Sequence, residues 1–445
     1  MKKLRPYQLE AVRKVQEAAR THRRVLLQAP TGSGKTVMGA ALVADLPGRP
    51  RVLWIAHRFE LLTQARASLA ESTGEPVGII SGRLTEAPDA RIVVAMIDTM
   101  RRKFAHGFGC VVIDEAHRTQ ASGYQRTLAQ LPNAAVIGLT ATPERLDGKG
   151  LCDTYGALIL GPSQRELAAQ GFLARPDTWT VPGSKVRESL AKVAIQAGDY
   201  NKAQLSRAMT HDDLIKEVVT HAAKRAPKCK TIVFASSREH GRRLARAFSE
   251  SGRKSDYVDS QTPPEDRDAA TRDLRGGDLE VLVNVDVLTE GFDAPEVTCV
   301  VMARPTRSLV RYLQYAGRAA RPYGESPAII LDHAANWWTH GEVDADREWS
   351  LDGRPKRECS MARSKVCREC GHTMSISTSE CPGCGVSMAA ADRERLLDEE
   401  AVELTKASEE NQRMKAIVNR VNPKVAVSLD VDDHWIRSLA QEMSH

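Results

Sequence analysis

An apolar strand that runs straight into a glycine-rich turn and then a helix constrains this chain more than anything else in it. Val25-Leu26-Leu27-Gln28 leads into Ala29-Pro30-Thr31-Gly32-Ser33-Gly34-Lys35-Thr36, and Val37–Leu46 continues with helical character. Strand, loop and helix in that order form the context in which such a loop cradles phosphate. Gly32 and Gly34 let the backbone curl so that its N–H groups face an anion, and the helix N-terminus adds partial positive charge. Lys35 can reach the β- and γ-phosphates of a nucleoside triphosphate, and the Thr36 hydroxyl can take a place on Mg²⁺. Ala29 stands where the general pattern has glycine, which leaves the cradle itself intact.

Such a loop needs a sheet behind it, and the chain supplies apolar runs for two. Val25–Ala29, Arg51–Ala56, Ile92–Ile97, Cys110–Ile113 and Ala135–Leu139 form one set; Thr231–Ala235, Val281–Val285, Thr298–Met302 and Ala328–Leu331 form another. Nearly continuous Val/Ile/Leu runs suit parallel strands covered on both faces, and amphipathic stretches such as Phe59–Glu71 and Glu239–Ser251 lie between them. The expectation is an α/β chain with two tandem parallel-sheet domains, at 1–160 and 161–350. A cysteine module at 355–390 and a helical, partly flexible C-terminal region at 391–445 follow. At 445 residues the chain has room for cores of ordinary size. No window reaches the roughly 20 apolar residues of a membrane span, and no apolar run follows the charged N-terminus, so a cytoplasmic location without membrane contact is expected. The net charge of +6 is compatible with a polyanionic partner without demanding one.

Cys110-Val111-Val112-Ile113 ends in Asp114-Glu115-Ala116-His117. A carboxylate at the carboxyl end of a buried strand points into the crevice where open α/β sheets bind ligands. Asp114 is therefore placed to hold Mg²⁺ with Thr36, and Glu115 to orient and deprotonate an attacking water. Cys367-Arg368-Glu369-Cys370-Gly371-His372 and Cys381-Pro382-Gly383-Cys384-Gly385 form two knuckles with ten residues between the pairs. In a reducing compartment four such cysteines suit a closed tetrahedral Zn²⁺ site, with an iron–sulfur cluster as the competing reading. The surrounding Arg354, Lys356, Arg357, Arg363, Lys365 and Arg368 either contact phosphates or solvate the loop.

Over residues 4–322 these motifs, in their order, resemble the superfamily 2 DEAD/DEAH-type helicases and translocases, which are built from two RecA-like domains. The resemblance implies that Arg5 and Gln8, in Leu4-Arg5-Pro6-Tyr7-Gln8, read adenine, with Arg5 stacking on the base and Gln8 bonding its edge. Arg58 in Trp54-Ile55-Ala56-His57-Arg58 and Thr99 in Ala95-Met96-Ile97-Asp98-Thr99-Met100 match backbone-contacting positions; Asp98 departs from the expected glutamine. Thr140 and Thr142, in Leu139-Thr140-Ala141-Thr142-Pro143, match the motif that couples hydrolysis to domain motion. Leu288-Thr289-Glu290-Gly291-Phe292-Asp293-Ala294-Pro295 resembles the motif in which Thr289 meets the strand and Gly291 and Asp293 the nucleotide. Gln314-Tyr315-Ala316-Gly317-Arg318-Ala319-Ala320-Arg321 resembles the arginine-finger motif, with Gln314, Arg318 and Arg321 as its polar members. The two arginines are three apart, so on a helix they share a face.

Thr142-Pro143-Glu144-Arg145-Leu146-Asp147-Gly148, Ala303-Arg304-Pro305-Thr306 and Leu331-Asp332-His333-Ala334 are similar to the RadD-like bacterial and phage branch. That branch implies DNA repair, recombination or replication, with single-stranded, duplex or forked DNA as substrate and a single-stranded-DNA-binding protein as partner. ATP and Mg²⁺ are the implied cofactors beside Zn²⁺. An RNA helicase and a non-catalytic nucleic-acid-binding scaffold with a zinc module remain as alternative readings.

Overall fold

The structure, a computed structural model, describes residues 3–100, 105–181, 184–196, 198–289, 294–324, 326–353, 364–375 and 378–387. The expected C-terminal region 391–445 lies outside the described residues, as do Gly291, Asp293, Arg354, Lys356, Arg357 and Arg363.

The first sheet holds eight strands: β1 Arg24–Gln28, β2 Val52–Ala56, β3 Val77–Ile80, β4 Thr85–Glu86, β5 Ile92–Met96, β6 Cys110–Asp114, β7 Ala135–Thr140 and β8 Ala157–Leu160. Their order is β4-β3-β5-β2-β6-β7-β1-β8. All neighbours are parallel except β4, which turns back antiparallel on β3. Parallel neighbours require crossovers, and the helices Lys35–Ala44 and Phe59–Thr73 supply them. β2 and β6 are buried at every position, as strands covered on both faces must be.

The second sheet takes β9 Asp177–Thr180, β12 Lys230–Ala235, β13 Ser255–Val258, β14 Val281–Asn284, β15 Val297–Ala303 and β16 Ile329–Asp332, in the order β13-β14-β12-β15-β16-β9. Every pairing in it is parallel. Between β9 and β12 lie the small hairpin of β10 Ile195–Gln196 and β11 Asp199–Tyr200 and the helices Lys202–Met209 and Asp212–Arg225. The α/β reading with two parallel sheets holds. β3, β4, β8, β9 and β13 lie outside the apolar runs expected as strands; β9, Asp-Thr-Trp-Thr, lacks such a run, and its edge position explains why it needs none.

β17 Ser364–Val366 and β18 Thr373–Ser375 pair antiparallel around the first cysteine knuckle. The Thr180 N–H donates to the Gly371 carbonyl at 2.8 Å, and the Thr373 hydroxyl donates to the Thr178 carbonyl at 3.2 Å. The knuckle thus occupies the open edge of β9, a position that would otherwise leave unpaired strand groups.

Candidate nucleotide site and cysteine cluster

The phosphate loop leaves β1 beside the end of β7, where the Ala29 N–H donates to the Thr140 carbonyl at 3.0 Å. Gly32 and Gly34 have φ of 86° and 82°, the left-handed region that a side chain disfavours. A Cβ on Gly34 would also stand 2.6 Å from the Gln8 amide nitrogen. Both Tyr7 and Gln8 hold the loop from below: the Tyr7 hydroxyl and the Gln8 amide donate to the Ser33 carbonyl at 2.8 and 3.0 Å. Gln8 also accepts the Arg5 backbone N–H at 3.0 Å, so both ends of its amide are engaged with backbone here.

Arg5 stands over the ring of Phe172, with 4.9 Å from guanidinium carbon to centroid, and Tyr7 lies 5.1 Å from the same ring. Phe172 follows the helix Gln164–Ala169, in a segment whose weak periodicity gave the sequence reading nothing to hold. Its only signal was rarity, since aromatics make up 5% of the chain.

Lys35 opens its helix and donates to the carbonyls of Ala29 and Pro30 at 3.1 and 3.2 Å. Burial pushes its ammonium below the ordinary lysine value; Glu115 and Asp114 oppose that, while Arg318 and Arg321 add to it. Lys35 therefore sits among both acids and both arginines. Asp114, 3% exposed at the end of β6, accepts the Glu115 backbone N–H at 3.0 Å. Glu115 itself takes φ of 53°, a strained value for a residue with a side chain, and its carboxylate lies 3.3 Å from His117 Nδ1. Thr36, beside Lys35, is half-buried at the mouth of the same loop.

The Thr140 hydroxyl donates to the Thr142 carbonyl at 2.7 Å and accepts the Thr142 N–H at 3.2 Å. Both hydrogen bonds stay inside the motif, and Thr142 is 1% exposed.

From the second domain, the buried helix Leu309–Ala316 carries Gln314 and delivers Gly317, Arg318 and Arg321 at its end. A Cβ on Gly317 would stand 2.5 Å from the Thr31 Cβ, so only glycine allows the two domains this close. Arg318 donates to the Thr289 carbonyl at 2.6 Å. Arg321 lies against the loop, its Cγ 3.7 Å from where a Cβ on Gly32 would stand. Burial, with Arg275 nearby, pushes Arg321 below the usual guanidinium value. Arg275 closes the helix Pro264–Gly276 and carried no motif that would have marked it.

Arg58 and Thr289, which the resemblance assigns to nucleic acid, meet across the domains. Arg58 donates to the carbonyls of Val287 and Asp286 and to the Thr289 hydroxyl, the last at 3.3 Å. Asp286 is itself held in the left-handed region, φ 60°, and bound to the buried Arg304. Thr99 lies half-buried in the short helix Ile97–Met100 after β5.

The Sγ atoms of Cys367, Cys370, Cys381 and Cys384 all lie within 4.8 Å of one another. Cys367 and Cys384 are 3.6 Å apart, far beyond a disulfide bond and right for neighbours on one tetrahedral metal ion. The Cys367 and Gly371 N–H groups close the first knuckle, bonding to His372 and Cys367 carbonyls at 2.9 Å each. In the second, the Gly385 N–H reaches the Cys381 carbonyl and the Cys381 N–H the Val386 carbonyl, both at 2.8 Å. Four thiols at this spacing fit Zn²⁺ or another thiophilic ion. His372 turns away to the edge of the Trp179 ring, 4.8 Å between centroids, and is no part of the set.

Asp332, at the end of β16, accepts the Thr180 hydroxyl at 3.0 Å and the Trp337 N–H at 2.8 Å, which makes it the pin of a strand-end turn. Among the described residues no helix is long and apolar enough to cross a membrane.

Comparison with known proteins agrees with this geometry. Residues 1–145 match the family described as "Type III restriction enzyme, res subunit", and residues 210–323 match "Helicase conserved C-terminal domain". The 51.5 kDa protein of a Lactococcus phage is 31% identical over 402 residues, 88% of this chain and 84% of that protein. The Type I restriction enzyme EcoAI endonuclease subunit of Escherichia coli is 28% identical over 79% of this chain, which spans 49% of that subunit. The solved structure of the ATP-dependent Type ISP restriction-modification enzyme LlaBIII bound to DNA superposes on 74% of this chain with a TM-score of 0.54 at 16% identity; the chain spans 27% of it. Two helicase domain matches in tandem, over two RecA-like sheets with a phosphate loop facing paired arginines, place the chain in the superfamily 2 helicases, the nucleic-acid-dependent ATPases.

Proposed function

We propose that the chain is an ATP-driven DNA translocase or helicase of DNA repair, recombination or replication, of the RadD-like branch, acting in the cytoplasm. The observation that carries the coupled mechanism is the approach of Gly317 and Arg321 to Thr31 and Gly32, which makes the site the sum of two domains. Residues 1–160 supply the cradle: Pro30–Gly34 and Lys35 hold the phosphates, Arg5 and Gln8 face the base, and Thr36 with Asp114 hold Mg²⁺. Bound ATP–Mg²⁺ supplies a phosphoryl group for transfer to water. Glu115 takes the water's proton, and its strained backbone fixes the direction of that carboxylate. Arg318 and Arg321, from residues 161–350, neutralise charge on the transferring group only while the domains are together. Gln314 sets the helix end that carries them, and the resemblance assigns Gly291 and Asp293 to the nucleotide. Each closure and opening changes the spacing between Arg58 and Thr99 on one domain and Thr289 on the other. That is the motion a stepping motor needs, with Thr140 and Thr142 at the joint.

DNA as the substrate is supported by the likeness to restriction enzymes, one of which is DNA-bound in its solved structure. A single-stranded-DNA-binding protein is the partner the RadD-like reading implies. The Cys₄ cluster serves as a Zn²⁺-held structural module on the edge of the second sheet.

The test is an ATPase assay without cofactor and with single-stranded DNA, duplex DNA, forked DNA and RNA, beside Lys35→Ala. DNA should stimulate turnover strongly and the variant should be inactive. Stimulation by RNA alone would overturn the DNA reading, and indifference to every nucleic acid would overturn the motor itself.

A further inference from the structure

The second domain brings together three metal-ligating side chains that the ATPase and the cysteine cluster do not use. Glu217 and His221 are one helical turn apart on the Asp212–Arg225 helix and so share a face. His333 follows β16, next in the chain to the turn-forming Asp332. One ligand atom from each of Glu217, His221 and His333 lies within 4.8 Å of the other two. The His221 and His333 ring centroids are 4.9 Å apart, and Glu217 and His333 line a small internal cavity with Val181, Met209, Leu214 and His240.

Two features distinguish this group from an ordinary packed cluster. First, His333 is only 5% exposed, yet among the described residues neither its ring nor that of His221 forms a hydrogen bond, and the Glu217 carboxylate forms none either. Second, the polar atoms come from a helix and from a separate strand end, so an ion between them would tie two elements together.

We propose that Glu217, His221 and His333 form a second metal site, for a divalent transition ion of the zinc class. Two imidazoles and one carboxylate are a known three-ligand set for Zn²⁺, with water in the fourth position. Imidazole ligands select against Mg²⁺ and Ca²⁺, which prefer all-oxygen sets. The ion would fasten the Asp212–Arg225 helix to the carboxyl end of β16, beside the Ser237-capped helix Arg238–Glu250. Its role is to stiffen the second domain.

Metal stoichiometry tests this on the full chain, stripped with chelator, reloaded with ZnCl₂ and freed of excess. The wild type should retain a second equivalent of Zn²⁺ beyond the one the four cysteines hold. His221→Ala, at a half-buried position on the helix surface, should lose that equivalent and keep the first; Glu217→Gln should weaken it. Co²⁺ reloading separates the sites spectroscopically: the cysteine site gives thiolate-to-metal charge-transfer bands, and the proposed site only ligand-field absorption, which His221→Ala should abolish. Circular dichroism confirms that each variant is folded. A wild type that retains a single equivalent, or a folded His221→Ala chain that still retains the second, overturns the proposal.

Discussion

The two halves of the nucleotide site are built by opposite means. In the first domain, the functional groups are bonded to their own surroundings. Lys35 lies on the carbonyls of Ala29 and Pro30, Tyr7 and Gln8 anchor Ser33, Asp114 holds the Glu115 N–H, and Thr140 holds Thr142. All of these bonds lie within residues 1–160. In the second domain, Arg318 is held by Thr289 of its own domain, and Arg321 becomes part of the site only because Gly317 lets the helix end approach Thr31. Binding is thus the property of one domain and hydrolysis the property of their encounter.

The comparison breaks most visibly if the arginines are removed. Arg318→Ala and Arg321→Ala should each lower kcat by about 10³–10⁵-fold, while the affinity for a non-hydrolysable ATP analogue falls far less. Lys35→Ala should lose both. Analogue binding measured by fluorescence titration beside steady-state ATPase separates the two classes. An arginine variant whose analogue affinity collapses together with its kcat would mean that the second domain belongs to the binding half.

A smaller effect is expected from the contact that admits the second half. Gly317→Ala places a methyl group 2.5 Å from the Thr31 Cβ, and overpacking of this kind costs about 1–3 kcal/mol. If that cost falls on closure, kcat drops roughly 5- to 150-fold. Thermal stability should barely change, because opening the cleft relieves the clash without unfolding either domain. An unchanged kcat would show that the domains reach the same chemistry with a wider spacing.

The same contrast governs what was legible in the sequence. The first half is written in one stretch, Val25–Thr36, and in one strand end, Asp114-Glu115, because short-range geometry creates it. The strands with continuous apolar runs were legible for the same reason. β3, β4, β8, β9 and β13 were not: β4, β9 and β13 are short and largely polar, while the apolar β3, Val-Gly-Ile-Ile, and β8, Ala-Leu-Ile-Leu, are only four residues long and lie among glycines. Phe172 escaped because its meaning is a contact with Arg5 and Tyr7, more than 160 positions away by their numbering. The arginine motif was legible, but its approach to Gly32 was not, for the approach depends on how two domains pack. Arg58 shows the limit best. Its motif suggested a phosphate contact, and the structure gives it carbonyls of Asp286 and Val287, 228 and 229 positions downstream.

Arg58 also provides the finest test of the comparison, since one side chain serves either as a tie between domains or as a hold on the nucleic-acid backbone. A phosphate offers the guanidinium a full negative charge in place of carbonyl dipoles, so DNA should draw Arg58 away from the second domain. Arg58→Ala should then weaken DNA binding by about tenfold or less and lower the steepness of its salt dependence by about one phosphate's share. The decisive quantity is the slope of log affinity against log salt, because it counts phosphates and is blind to ties between domains. A weaker affinity with the slope unchanged would leave Arg58 as a tie alone, and would move the strand-gripping role elsewhere on the first domain.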